Sequence, residues 1–243
     1  MVLRNRDAAW DAWPVADYLA ENYRLLHSAD IAVIEHHSTV YQKLPSDGVD
    51  RSLELGAGPN LYPLMLAAAA ARRIDAVDPS AAGRAYLREQ LAHGADPAWE
   101  PFYACCRTNN PTLPDRLADA LARVIVVAGD ASGLPDSAYG LGSMNFVAES
   151  VTEDPAEFAA ICRAFVHAVR PGAPLVASFM ENMGRYRIAD GPLWPGYPVT
   201  RDTVHDVFAD ETVDLVVSRI DADPELPEWG YTGMVLMSAR RAT

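Results

Sequence analysis

The stretch Arg51-Ser-Leu-Glu-Leu-Gly56-Ala-Gly58-Pro-Asn60 constrains the fold of this chain more than any other. A short apolar run enters two glycines separated by one residue, and an Ala- and Leu-rich segment, 61–71, follows at once. Strand, glycine turn and helix in that order open a βαβ unit, where glycine lets the backbone approach a ligand with no Cβ in the way. A second strand over 73–78 and a helix over 81–91, started by Pro79-Ser80, complete the unit. The alternation continues with strands over 124–128, 142–147 and 174–180, a helix over 155–169 and the turn Arg170-Pro-Gly172. A helix over 201–208 and strands over 213–220 and 231–239 end the chain. The class is α/β, with a mostly parallel sheet closed at one edge by an antiparallel C-terminal hairpin. We expect one domain over 1–243, with a helical cap over 1–50 and insertions over about 97–119 and 181–198.

Composition narrows the function. Half of the 243 residues are hydrophobic and 22% are charged, values of a folded globular chain. The longest apolar stretch, 64–71, stops at Arg72-Arg73, far short of the roughly 20 residues needed to span a bilayer. The N-terminus has no continuous apolar core of a secretory signal, so the expected location is cytoplasmic, away from membranes. A net charge of −13 argues against nucleic acid, which is bound by clustered Lys and Arg. Cys105, Cys106 and Cys162 have the count and spacing of neither a disulfide framework nor a zinc site and read as reduced buried thiols. His36 and His37 lack a partner at metal-ligand spacing and read as a solvated helix face, without a role and without a metal.

The residues around the glycine turn suggest an adenosine site. A dinucleotide fingerprint wants a third glycine where this chain has Leu61, which weakens a nicotinamide-dependent dehydrogenase. Pro59 and the absence of Gly-Lys-Ser/Thr exclude a P-loop. Asp78 ends the second strand, where a carboxylate can accept from both ribose hydroxyls, and Asp130 ends the third, where it can accept from an adenine amino group. The competing readings are a helix N-cap partner for Asp78 and an Asx-turn for Asp130. Gly56, Ala57, Gly58, Pro59, Pro79, Ala131 and Asn145 are expected to line the same site.

In this order the motifs resemble the class I S-adenosylmethionine-dependent methyltransferases, with Glu54-Leu-Gly-Ala-Gly58 as first motif and Arg170-Pro-Gly172 leading into the fifth strand. The nearer resemblance is to the nicotinamide, phenylethanolamine and thioether methyltransferase family, and it covers nearly the whole chain. It implies a Rossmann-like fold with a seven-stranded, mostly parallel sheet, helices on both faces and an N-terminal helical lid. It implies S-adenosylmethionine as cofactor and S-adenosylhomocysteine as product. Asp17-Tyr-Leu19 and Glu21-Asn-Tyr23 look like that family's lid, which assigns Tyr18 and Tyr23 to the cofactor's methionyl carboxylate; Gly58-Pro-Asn-Leu-Tyr62 looks like its Gly-Pro-x-x-Tyr, which adds Tyr62. Phe146-Val-Ala-Glu-Ser150 stands in the place of its substrate-side segment, and Tyr186 near its substrate-flanking aromatic.

The chain departs from the pattern at Gly83, where the family often has asparagine, at Trp10, where a further lid tyrosine is common, and before the last strand. There Glu228, Trp229 and Gly230 replace the aspartate that holds an alkylamine. Glu149, just past the fourth strand, is the candidate catalytic group, able to orient an amine or relay its proton through water. Trp10, Met183, Tyr186 and Trp194 are the other candidates on the substrate side, with packing as the competing role for Trp10 and Trp13. The expected reaction is N-methylation of an amine or heteroaromatic nitrogen in a small molecule by in-line displacement, carried out by a monomer or homodimer. An O- or S-acceptor, or a non-catalytic regulatory protein that binds the cofactor, are the alternatives.

Overall fold

The computed structural model describes residues 2–226 and 230–243; Glu228 and Trp229, singled out above, lie outside the described residues. Two 3-10 turns, Asn5–Asp7 and Trp10–Ala12, precede α1 (Val15–Asn22) and α2 (Ser28–Tyr41). Then come β1 (Ser52–Leu55), α3 (Tyr62–Ala67), β2 (Ile74–Asp78), α4 (Ala81–His93), α5 (Glu100–Asn109), α6 (Leu117–Leu121) and β3 (Val124–Ala128). The second half holds β4 (Leu141–Asn145), α7 (Pro155–Ala168), β5 (Pro174–Glu181), the small hairpin β6 (Tyr186–Arg187) and β7 (Leu193–Trp194), α8 (Arg201–Ala209), β8 (Thr212–Asp221) and β9 (Gly233–Arg241).

Seven strands form one sheet in the order β3-β2-β1-β4-β5-β9-β8. The first five are parallel, and β9 runs antiparallel to both β5 and β8, as expected for a C-terminal hairpin. Strand order reverses beside β1, since the chain moves outward through β2 and β3 and then returns to β4 on the other side. A crevice opens at the carboxyl ends of strands at such a switch point, and that is where ligands bind in open α/β sheets.

The period of two along β1 divides the core. Leu53 and Leu55 face Phe158 and Phe165 of α7 and Phe208 of α8, while Ile74, Ala76 and Val176 face α2, α3 and α5 through Ile34, Leu64 and Phe102. Both faces of the central strands are therefore buried, as parallel strands require. Cys106 and Cys162 are buried thiols, whereas Cys105 is only partly covered. No helix among the described residues is long and apolar enough to cross a membrane.

Two elements differ from the sequence reading. The helix expected over 61–71 ends at Ala67, because Ala70 O accepts from Val49 N and Val49 O accepts from Arg72 N. The alanine run is drawn into pairing with the chain that enters β1. The Pro-rich stretch read as an insertion contains α5, with Pro101 tolerated in its first turn and Phe102, Tyr103 and Cys106 buried against α2 and α3. Trp99, just before it, is buried and donates to Tyr86 OH at 2.8 Å.

Candidate active site

A cavity of about 120 Å³ occupies the crevice beyond β1 and β2. The chain leaves β1 with Gly56 at φ +66° and Gly58 at φ +51°, both in the left-handed region where a side chain costs energy. Gly56 N and Ala57 N donate to Val77 O, which holds the turn against β2. Asp78 closes it: Oδ2 accepts from Gly58 N at 2.8 Å and Oδ1 from Ser80 N at 2.7 Å. Burial pushes the Asp78 carboxyl up, opposed by these two N–H groups and by Arg84. A carboxylate has about four lone-pair sites, so each oxygen keeps capacity for one further donor. The cap-partner reading and the ligand reading of Asp78 are thus compatible.

Asp130 uses Oδ1 to accept from Ser132 N at 2.9 Å and Ser132 Oγ at 2.6 Å, an Asx-type cap on the turn Ala131–Gly133. It lines the cavity together with Ala57, Pro59, Pro79, Ala131 and Asn145. Asn5, Asn60 and Ser80 also line it and were not anticipated; among the described residues no Lys or Arg does.

Beneath Asn145 lies a row of buried polar groups. Asn145 Nδ2 donates to Glu54 Oε1 at 3.0 Å and Ser143 Oγ at 2.9 Å, and its Oδ1 accepts from Ser178 Oγ at 2.6 Å and meets His37 Nε2 at 2.8 Å. The amide is saturated, so what Asn145 has left for a ligand is its backbone. The reading of His36 and His37 as a solvated face is overturned: His37 is wholly buried, and its Nδ1 lies 3.0 Å from that of His36. Burial pushes His37 down to about 3 and His36 down to about 4, so both rings are neutral at pH 7. Neutral His37 donates from Nε2 to Asn145, which leaves its Nδ1 to accept from His36.

A second cavity of about 80 Å³ lies beside the first. Trp13, Tyr18, Phe146, Ser150 and Tyr186 line both, so the two spaces share an aromatic wall. Phe146, the first residue after β4, is held at φ +58°, and its N–H donates to Ser178 O at 2.8 Å. A bulky residue in that region is strained, and such strain collects at ligand sites. Tyr18 OH stands 3.3 Å from Tyr23 OH, which accepts from Asn60 Nδ2 at 3.0 Å. The lid is thereby tied to the glycine turn. Burial pushes the Tyr18 phenol up to about 12 and that of Tyr23 well above its ordinary value, so both are O–H groups at neutral pH.

Met183 and Tyr23 line the second cavity and Trp10 the first. Trp194 lines neither; it stacks on Trp10 at 5.2 Å and meets Trp13 edge-on at 4.9 Å, backing the lid. Tyr62 is wholly buried, stacked against Phe102 at 6.0 Å, and borders neither cavity. Glu149 is wholly buried and also borders neither, because its Oε1 turns to β5 and accepts from Met180 N at 2.8 Å. Burial pushes the Glu149 carboxyl up to about 8.

The carboxylate that does line the second cavity is Asp30 of α2. Its signal was in the sequence: Asp30, Val33, Ile34, His37 and Tyr41 recur at helical spacing, and all five are buried. Both polar residues on that stripe face inward.

No protein-family profile matches this sequence, and no curated protein matches it. Solved structures do. DhpI in complex with S-adenosylhomocysteine is similar at TM-score 0.59 and 15% identity, over 96% of this chain and 93% of its own. The 1,6-didemethyltoxoflavin-N1-methyltransferase of Burkholderia thailandensis is similar at TM-score 0.52 and 18% identity, over 88% of this chain and 80% of its own. The [4+2]-cyclase SpnF is similar at TM-score 0.55 and 15% identity, over 86% and 81%. At such identities the likeness speaks for architecture. This chain has the Rossmann-like fold that these proteins share, with a seven-stranded, mostly parallel sheet, an antiparallel hairpin at one edge and helices on both faces.

Proposed function

We propose that this protein is an S-adenosylmethionine-dependent methyltransferase that methylates a nitrogen of a small molecule by in-line displacement. The observation that carries the reading is the pair of cavities meeting at one aromatic wall, the first built on a glycine turn and two strand-end aspartates. A binding protein without catalysis has no use for a second cavity there. The similarity to a cyclase shows that the fold alone does not decide the reaction, so the assignment rests on the site.

The first cavity suits an adenosine without phosphates. It presents Asp78 and Asp130 and no basic side chain, which disfavours a pyrophosphate. A Cβ at Gly58 would have nothing nearer than Gly56 O at 3.9 Å, so the space above that glycine is open to a ligand. When bound, S-adenosylmethionine supplies a methyl group on a positively charged sulfur. Asp78 accepts from the ribose hydroxyls with its remaining lone pairs, and Asp130 accepts from the adenine amino group. Tyr18, kept as an O–H donor by burial and lining both cavities, donates to the methionyl carboxylate, and Tyr23, which lines only the second cavity, orients the Tyr18 hydroxyl. The faces of Trp13, Tyr18 and Tyr186 attract positive charge and exclude water, and the shared wall aligns the acceptor with the methyl. Displacement at a sulfonium methyl asks the protein chiefly for alignment, so Glu149 is a positioning residue that packs the segment after β4 onto β5. Nitrogen is favoured over oxygen or sulfur by the resemblance to N-methyltransferases and by a second cavity walled with aromatic rings and methionines.

Calorimetric titration with S-adenosylhomocysteine, and separately with NAD, tests the reading. Binding of the former at about micromolar Kd without binding of NAD is expected for a preformed site with this lining. Absence of S-adenosylhomocysteine binding overturns the proposal, and NAD binding points to a dehydrogenase.

A further inference from the structure

Asp30 has no task in the mechanism above, yet it lines the second cavity with a carboxylate that is 6% exposed. Its one hydrogen bond is a weak cap, in which Oδ2 accepts from His27 N at 3.2 Å. Among the described residues it has no ion-pair partner, and no Lys or Arg lines either cavity. A carboxyl buried so poorly partnered either keeps its proton or is completed by a positive charge, and its place on a cavity wall leaves room for the second. The surroundings suit a cation as well: Tyr18, Tyr23 and Tyr231 line the same space, and aromatic faces attract positive charge. Methionines 180, 183 and 234 supply soft apolar contact for the rest of a ligand.

We propose that the methyl acceptor is a cationic small molecule whose positive group is held by Asp30. The inference rests on the methyltransferase reading and deepens it by naming the acceptor's chemical class. It also divides the acceptor into two ends. Asp30 lines only the second cavity, whereas Trp13, Tyr18, Phe146, Ser150 and Tyr186 line both. A protonated nitrogen has no lone pair with which to attack. The charged group therefore serves as an anchor at Asp30, and a separate, neutral nucleophilic atom lies at the shared wall. Asp30 thus supplies from α2 the negative charge that an aspartate before the last strand would supply in the family this chain resembles.

The test uses matched amine and alcohol pairs, benzylamine with benzyl alcohol and tryptamine with tryptophol, titrated into the full chain saturated with S-adenosylhomocysteine. Asp30→Asn is the variant, because its amide oxygen can still accept from His27 N and preserve the start of α2. At least one amine should bind about tenfold or more tightly than its alcohol, as expected for a charge-assisted hydrogen bond, and Asp30→Asn should abolish that preference. S-Adenosylhomocysteine affinity and the affinity for the alcohols should stay within about twofold. If no amine is preferred, or if the preference survives in Asp30→Asn, the inference falls while the methyltransferase reading stands. If Asp30→Asn instead weakens S-adenosylhomocysteine tenfold, Asp30 serves the cofactor's ammonium group and the inference is again overturned. Failure of the wild-type protein to bind S-adenosylhomocysteine at all strikes the methyltransferase reading itself.

Discussion

Gly56 and Gly58 stand two residues apart in one turn, yet a methyl group added to each meets opposite surroundings. At Gly56 it would lie 2.5 and 2.6 Å from the two methyls of Val147, with φ at +66°. At Gly58 nothing lies within 3.9 Å, with φ at +51°. Gly56→Ala combines overpacking with left-handed strain and should cost about 2–4 kcal/mol of stability in chemical denaturation. Gly58→Ala should cost only about 1–2 kcal/mol but weaken S-adenosylhomocysteine about tenfold or more, since its methyl enters the cavity. Normal binding by Gly58→Ala would show that the ligand does not lie on this turn. Sequence alone marks both glycines, because any strand-to-helix turn of this kind needs them, but Val147 is ninety residues away and separates their roles only after folding.

The N-terminal segment crosses the first cavity as a strap. Leu3 and Glu153 bond reciprocally, Leu3 N to Glu153 Oε2 at 2.9 Å and Glu153 N to Leu3 O at 2.8 Å. Further along, Ser80 Oγ donates to Trp10 O at 2.9 Å and Ala81 N to Asp11 Oδ1 at 2.7 Å. Trp194, on β7, backs Trp10 and Trp13. Two aromatic pairs contribute about 1–3 kcal/mol together beyond their buried area, so Trp194→Ala should weaken S-adenosylhomocysteine binding about tenfold. Amide exchange should rise at residues 5–13 while the β-sheet stays protected; unchanged exchange there would mean that Trp194 does not hold the strap. Elements of this molecule were legible where a period was visible. The strands and α7 show one, but the run 67–71 is alanine on every side, and α5 has a proline as its second residue and ends in Cys-Cys-Arg-Thr-Asn, a weak helix sequence. Its burial against α2 and α3 supplies what its propensity lacks.

Across the molecule, buried ionisable groups give stability a defined dependence on pH. Burial pushes Glu149 up to about 8 and Glu54 and Asp30 up to about 7. The folded chain keeps these protons where the unfolded chain has released them, so their contribution is whole below the ordinary carboxylate range and is lost as pH rises through 7 and 8. His36 and His37 act in the opposite sense. Held down to about 4 and 3, they favour the folded state above the ordinary imidazole value of 6.5, and that contribution is lost as pH falls toward 4 and 3. Between pH 8 and 6.5 the carboxyls dominate, and easing the self-repulsion of a chain with net charge −13 works in the same direction. The thermal midpoint should therefore be higher at pH 6.5 than at pH 8, and Glu149→Gln should flatten the difference. A midpoint that rises with pH over this interval, or a slope unaltered by Glu149→Gln, would contradict the assignment of these buried acids.

The sequence by itself determined the order of the seven sheet strands and of the helices that alternate with them, the glycine turn and the two strand-end aspartates. Each of those follows from short-range periodicity and from the one-sided geometry of βα connections. Only the tertiary structure decided which side chains face a cavity. Glu149 is the carboxylate singled out in the sequence and Asp30 is not, yet the former accepts from Met180 N on β5 and the latter lines the second cavity. Tyr62, four residues past Gly58, is stacked on Phe102, while Tyr18 and Tyr186 line the shared wall. A strand reverses its side chains at every residue and a helix turns them by about 100°, so the side on which a group emerges depends on what packs against the element from distant parts of the chain. That information lies in long-range contacts, which no local stretch of this sequence contains.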